Sequence, residues 1–458
     1  MKPRSLASVA AAVGGALDAR ADVEIVSVET DSRSVRDGAL FVALAGERQD
    51  GHAFLADAFG RGAVAAVVRS GFEMDAPTVR VGDTGQALLD LAADERRGFD
   101  GIVVAITGAN GKTSTKDMTA AVCGARYRTY ASPSSFNNEV GVPMTLLGAR
   151  PDTEVIVAEL GARHVGDVAR LMPIADPSIA VVTNVGVAHM EVFGSWAAIV
   201  EASAEPIDAL PADGLAILNG DDAVASTYAS RTAARVTTFG RRAGVDVRAD
   251  DVTVDRDGCA SFDLVAAGGR ERVTLAIPGE HMVANALAAA AVGLELDVSL
   301  DACAAALAGA HITRWRMETT KTSTGVRVLN DAYNANPESV AAALKTARWM
   351  AGDGRLIAVL GEMAELGAIA ADEHERIGEL AARLRVDRLI TIGPAAKAIA
   401  VAGVREGVEP DNVADYDDVD AALLDVLAVA QDGDVVLVKG SRVAGLERLA
   451  ARLVEALS

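Results

Sequence analysis

The stretch "AITGANGKTSTK", Ala105 to Lys116, holds the residues best suited to chemistry. In order they are Gly108, Ala109, Asn110, Gly111, Lys112, Thr113 and Ser114. The general phosphate loop, G-x-x-x-x-G-K-[ST], would require glycine at Ile106. Here the spacing is the shorter G-x-x-G-K-T, and the alternative is a chance match in an ordinary turn. Context argues for the loop. An anion site of this kind needs a buried strand, a tight glycine turn and a helix N-terminus, whose amides and dipole hold the phosphate. "IVVAI" supplies the strand and "KTSTKDMTAAV" the helix. Lys112 would reach the β- and γ-phosphates, and the Thr113 hydroxyl would ligate Mg²⁺. A magnesium nucleotide also needs a carboxylate at the end of a neighbouring strand. Glu159 closes the apolar run "VIVA". His189 lies in the loop "VGVAHME" after another apolar run. Alone it reads as loop packing; beside Lys112 and Glu159 it reads as a metal ligand.

The elements that must position these groups form an α/β chain of 458 residues, half of them hydrophobic. At roughly 100–200 residues per domain the length suits several domains. Residues 1–100 read as a small α/β N-terminal domain. Residues 101–310 read as a central P-loop domain, because continuous apolar strands alternating with helices indicate a parallel sheet covered on both faces. Within it, Thr237 to Pro278 alternates in the manner of an antiparallel, β-rich appendage. Residues 311–458 read as a Rossmann-like α/β domain, with strands "VRVLNDAY", "RLIAVLGE", "DRLITIGP" and "GDVVLVKGS". The net charge of −21 disfavours nonspecific nucleic-acid and anionic-membrane binding. Cys123, Cys259 and Cys303 sit in no metal or disulfide spacing, which suits a reducing cytoplasm. The Ala-rich start, with charge returning at Asp18, reads as an ordinary first helix and not a signal peptide. No run of about 18 apolar residues predicts a membrane span.

Several longer stretches resemble the Mur ligases, ATP-dependent amide-forming enzymes of peptidoglycan synthesis. They are "ITGANGKTSTK", "SFNNEVGVP", "AELGARHVGD", "TNVGVAHMEVFGS" and "GEHMVANALAAAA". That family's phosphate loop has the short spacing seen here. "LNDAYNANPESV", "VLGEMAELG" and "VLVKGSR" resemble the branch that adds D-alanyl-D-alanine, and "TDSR" and "GERQDGHAF" are similar to its UDP-binding N-terminal domain. The resemblance implies that ATP phosphorylates the terminal carboxylate of a UDP-N-acetylmuramoyl tripeptide, and that the D-Ala-D-Ala amine then attacks the acyl phosphate. It also implies a monomer with ATP and two Mg²⁺ ions. Gly108 to Ser114 would cradle the phosphates. Asn137 and Asn138 would approach the γ-phosphate or metal, or else cap a turn. Glu159 and His189 would hold the ions. Asn285 would contact adenine or serve as a core polar contact. Arg316 and Asp331 would touch the nucleotide from the C-terminal side, with Arg314 an alternative to Arg316 in register. Asp31, Ser32, Arg33, Asp50 and His52 would face the uridine end or cap loops. Asn334, Asn336, Glu362, Lys439 and Arg442 would line the dipeptide or closure cleft.

The chain departs from that pattern at one consequential position. The family usually carries a carbamylated lysine after "FGS", holding the second ion; here the aligned residue is Ser203, and no lysine occurs between Lys116 and Lys321. No carbamate is therefore expected. Glu201 or Glu205 could supply the charge directly, Ser203 could anchor a water network, or turnover could be lost. Met282 stands where the family often has asparagine. A sister ligase adding a diamino acid, a folylpolyglutamate-synthase-like ligase and a nucleotide-binding protein without catalysis remain as rivals. "DAYNANPES" speaks against the ligase rivals, which usually carry histidine there.

Overall fold

The computed structural model describes residues 1–17, 23–46 and 49–458; Asp18 and the Glu47–Arg48 pair of "GERQDGHAF" lie outside them. Three mostly parallel sheets follow one another along the chain. The first aligns Thr78–Val81, Ala63–Arg69, Ala39–Val42 and Ser27–Glu29 in parallel, with Ala16–Leu17 antiparallel at one edge. The first helix, Leu6–Ala12, buries Leu6, Val9 and Ala10. It stops where Gly14 takes a left-handed φ of 60°, a conformation that ends helices cheaply only at glycine.

The second sheet has nine strands. Seven run parallel, from Thr129–Ala131 through Val155–Glu159, Ile102–Thr107, Ile179–Val182, Leu215–Asn219 and Arg235–Gly240 to Val247–Val254. Most of their Val, Ile and Ala side chains are buried, on both faces, as a helix-covered parallel sheet requires. Thr237 belongs to the parallel part. The alternating pieces Cys259–Ala266 and Gly269–Pro278 then extend the same sheet in antiparallel fashion. Chain order reverses at Ile102–Thr107, which lies between Val155–Glu159 and Ile179–Val182. Ligands of open α/β sheets bind outside the strand ends at such a switch point.

The third sheet orders Arg327–Asn330, Val435–Lys439, Leu356–Gly361, Arg388–Ile392 and Val413–Tyr416 in parallel, with Glu318–Lys321 antiparallel at the edge. One apolar cluster joins the second and third sheets. It runs from Val104 and Ile106 through Met282 and Leu287 to Val340, Leu344 and Leu437. The Ala-rich helix Met282–Glu295 lies within it, and its small side chains allow close packing on the helix Lys112–Gly124. Among the described residues no helix is long and apolar enough to cross a membrane.

Candidate active site

Ile106 is fully buried in its strand, level with Glu159 on one side and Val181 on the other. That is why the chain needs no glycine there: the turn begins two residues later. Gly108 has φ 135° and Gly111 φ 79°, and Gly111 is the N-cap of the helix Lys112–Gly124. A Cβ on Gly108 would lie 2.1 Å from Thr183 Oγ1, and one on Gly111 2.3 Å from Asn285 Oδ1. The loop is braced from the next strand. Asn184 accepts from the Asn110 amide at 2.9 Å and donates to its carbonyl at 2.9 Å, while Thr183 Oγ1 donates to that carbonyl at 2.7 Å. Thr183 and Asn184 escaped sequence reasoning, because "VVTNVG" carries no charge or metal-binding residue to mark it.

The loop opens on a cavity of about 900 Å³ between the second and third sheets. Gly111, Lys112, Thr113 and Ser114 line it at the helix N-terminus, where first-turn amides have no intrahelical partner. Lys112 folds back onto its own loop, donating to the carbonyls of Gly108 at 2.6 Å and Ala109 at 3.4 Å. Burial pulls its pKa below the usual lysine value; Glu159 opposes that shift and Arg316 adds to it. Thr113 Oγ1 donates to Glu159 Oε2 at 2.9 Å and lies 2.6 Å from Ser135 Oγ. Asn137 Nδ2 donates to Glu159 Oε1 at 2.7 Å, so both oxygens of this buried carboxylate are oriented. Asn138 also lines the cavity, and its Oδ1 closes the turn that leads into the helix Gly141–Gly148 by accepting from the Gly141 amide at 2.9 Å.

Among the described residues, no group of three or more His, Cys, Asp and Glu is placed to hold a metal. Magnesium is held by one or two carboxylates plus substrate phosphates and not by an all-protein cage. Thr113, Ser135 and Glu159 are the hard oxygen donors it favours. His189 lines the same cavity in a left-handed conformation, φ 56°, with Nδ1 bonded to Glu365. Burial lowers its pKa and Lys112 lowers it further, against the raising effect of the Glu365 hydrogen bond.

The third sheet brings the remaining groups. Arg316 faces the cavity; Arg314 does not line it. The Arg316 guanidinium stacks 4.1 Å over the Tyr333 ring, Nη2 reaches Thr113 Oγ1 at 3.3 Å, and Nε is buried without a partner. Asn336 caps the helix Pro337–Ala351, and its Nδ2 donates to Asn110 Oδ1 at 2.7 Å across the cavity. Asp331 and Lys439 form a buried ion pair beneath them. Asp331 also accepts from the Met317 amide at 3.1 Å, and Lys439 donates to the Asn334 carbonyl at 3.0 Å. Burial lowers the Lys439 pKa, opposed by Asp331. Arg442 stacks 4.6 Å over Trp315 at the rim. Asn285 is buried under the loop, accepting from Thr115 Oγ1 at 3.3 Å and donating to Met282 Sδ at 3.4 Å. It also lines the cavity, so it is a core polar contact that faces the site.

Three expectations, for Glu362, Glu201 and Glu205, need revision. Glu362 does not line the cavity; its carbonyl accepts from the Ser441 amide at 2.9 Å, and the chain turns so that Glu365 faces inward instead. Both stand in the same stretch, "GEMAELG", and only the turn distinguishes them. Glu201 is paired with Arg231 at 2.7 Å, and Glu205 caps the helix Asp167–Ala175 by accepting from Gly166 at 2.5 Å and Ala169 at 2.7 Å. Neither lines the cavity, and neither does half-buried Ser203. Neither Glu201 nor Glu205 therefore supplies the lysine's charge to this cavity. In the first sheet, Asp31 caps the turn Ser32–Ser34 and pairs with Arg33 at 2.6 Å. Asp50 caps Gly51–Phe54 and holds His52 Nδ1 at 2.6 Å, and His52 Nε2 accepts from the Arg69 amide at 2.9 Å. Asp31 and Asp50 thus cap loops, Ser32, Arg33 and His52 belong to the turns they cap, and all five lie outside this cavity.

Comparison with known proteins covers almost the whole chain. Residues 24–96 match the family described as Mur ligase family, catalytic domain. Residues 106–293 match the Mur ligase middle domain, and 315–442 the Mur ligase, glutamate ligase domain. The UDP-N-acetylmuramoyl-tripeptide–D-alanyl-D-alanine ligase of Mycobacterium tuberculosis H37Rv is 40% identical over 98% of this chain and 97% of its own. The ligase of the same name from Escherichia coli K12 is 38% identical over 95% of each. A crystal structure of MurF from Acinetobacter baumannii superposes with TM-score 0.89 at 31% identity over 99% of both chains. MurF from Thermotoga maritima, solved with ADP, superposes with TM-score 0.81 at 28% identity over 94% of this chain and 97% of its own.

Proposed function

The chain belongs to the Mur ligase family, and from that premise we propose that it joins D-alanyl-D-alanine to the UDP-N-acetylmuramoyl tripeptide at the expense of ATP, in peptidoglycan precursor synthesis. The observation that carries the choice of branch is near-full-length similarity to relatives named for this reaction. In this reading, residues 1–100 take the UDP end, 101–310 bind ATP and 311–458 receive the dipeptide.

A carboxylate is a poor electrophile. Transfer of the γ-phosphoryl group to its oxygen creates an acyl phosphate; the dipeptide amine then attacks the carbonyl carbon, phosphate leaves with the C–O bond electrons, and the amine loses a proton. Protein catalysis of such steps is positioning plus charge stabilisation. Lys112, bonded to its own loop carbonyls here, would release them for the phosphates. Returning to an anion restores the charge that burial disfavours. The helix N-terminus at Gly111 to Ser114 adds amide donors. Arg316, held flat on Tyr333 with a free buried Nε, is a donor prepared for a phosphate oxygen. Thr113, Glu159 and His189 would hold magnesium, which neutralises phosphate charge and keeps the transferring group in line. Asn334 and Arg442 would border the incoming dipeptide.

The test is phosphate release from ATP with UDP-muramoyl tripeptide and candidate amines. Release is expected with D-Ala-D-Ala. Turnover supported by L-lysine or diaminopimelate instead would assign a sister reaction, and no release at any magnesium level would leave nucleotide binding without catalysis.

A further inference from the structure

His189 and Glu365 come from different sheets, 176 residues apart in sequence, yet their side chains meet directly. The contact is part of a larger seam. Glu365 also pairs with Arg163. Its carbonyl accepts from the Glu191 amide at 3.0 Å. The next glycine, Gly367, comes so close that a Cβ there would sit 3.0 Å from Glu191 Cα. On the other side the loop is pinned to its own sheet: the Met363 amide donates to His374 Nε2 at 3.0 Å, and the Ala364 amide to Ser441 Oγ at 2.8 Å. His189 and Glu365 both adopt left-handed conformations, φ 56° and 62°. Non-glycine residues accept that strain only where their surroundings fix them, and such positions concentrate at functional sites.

A histidine that holds a metal through one ring nitrogen commonly donates its other N–H to a carboxylate, which sets the tautomer and the ring orientation. The Glu365 carboxylate engages Nδ1, which leaves Nε2 as the nitrogen available to a cation. We propose that Glu365 is a positioning residue for His189, supplied by the third sheet, so that the magnesium site is complete only when that sheet is docked on the second. The inference rests on the reading of His189 as a metal-holding group.

The test uses the full-length chain with Mn²⁺ as spectroscopic probe and ADP, so that no turnover is needed. Electron paramagnetic resonance gives the Mn²⁺ affinity of the ADP complex, and calorimetry gives metal-free ADP affinity. H189A and E365A should each weaken Mn²⁺ binding about 10- to 100-fold, the usual effect of removing such a ligand or its partner. Metal-free ADP affinity should fall far less than Mn²⁺ affinity, by no more than the share of sheet docking that the Glu365 contacts supply. E365Q keeps an oxygen that accepts from Nδ1–H, so it should recover most of the affinity; it also serves if E365A does not fold. If H189A leaves Mn²⁺ affinity unchanged, the metal reading of His189 fails and this inference with it. If H189A weakens binding while E365A and E365Q match the wild type, only the positioning role is overturned. Tighter Mn²⁺ binding by E365A would make Glu365 a cap that competes with the metal, and would also overturn it.

Discussion

Replacing Gly108 with alanine isolates the close approach on which the phosphate loop depends. Two costs combine at this position. The backbone sits at φ 135°, a region essentially reserved for glycine, and holding alanine there costs about 1–3 kcal/mol. The new methyl would lie 2.1 Å from Thr183 Oγ1 and 2.9 Å from the Asn184 carbonyl oxygen. Thr183 cannot swing aside freely, because its hydroxyl holds the Asn110 carbonyl at 2.7 Å. Overpacking of this kind adds about 1–3 kcal/mol. Gly71 is the control: its φ is 88°, but a Cβ there meets nothing within 4 Å, so Gly71→Ala pays only backbone strain of about 1–2 kcal/mol. Urea unfolding followed by circular dichroism should show the larger loss for Gly108→Ala. If the loop yields instead, ADP affinity measured by calorimetry should fall, about tenfold for each 1.4 kcal/mol needed to restore the amides. Gly108→Ala that matches Gly71→Ala in both stability and ADP affinity would refute the close-approach reasoning.

Asn336→Ala should lose a helix cap worth about 1 kcal/mol and also weaken ADP binding, whereas Asn336→Asp keeps the cap, loses the donor to Asn110 Oδ1 and should weaken only ADP binding. Thermal melts and calorimetry on the pair separate the two roles. Ser203→Ala should leave phosphate release unchanged, and the wild type should show no bicarbonate dependence, since Ser203 does not line the cavity; a bicarbonate requirement measured in degassed buffer would contradict this. Burial raises the thiol pKa of Cys259 and Cys303 to about 11 and of Cys123 to about 12. A raised value disfavours the thiolate, so at pH 8 native labelling by a thiol reagent should be at least about 100-fold slower than in denaturant, rising with pH toward 11. Half-buried Cys259 should react first, as mapped by mass spectrometry.

The chemistry that a short stretch of chain builds for itself was legible. "GANGKT" after an apolar strand specifies a turn, a helix N-terminus, a lysine and a hydroxyl, all within a few residues. Glu159 was legible because a parallel strand's last residue lies at the carboxyl end of the sheet whatever its neighbours are. What required three dimensions was everything set by docking. Glu365 and Glu362 are indistinguishable in "GEMAELG" until a left-handed turn sends one into the cavity. Glu201 and Glu205 were the right charge in the right stretch, but Arg231 and a helix N-terminus occupy them. Asn285 and Asn138 show the same limit, since a polar residue at a helix end or interior can serve the fold as easily as the ligand.

Asn336 and Arg316 touch Asn110 and Thr113 directly, so the third sheet holds part of the phosphate loop's own wall. Whatever nucleotide binding does to favour docking of that sheet, docking must return to nucleotide affinity by the same factor, because the two equilibria share one coupling free energy. A ligand that wedges the sheets apart without touching the phosphate loop would then act as an inhibitor of ATP binding. A dipeptide that draws them together would raise the enzyme's hold on ATP before any bond is made.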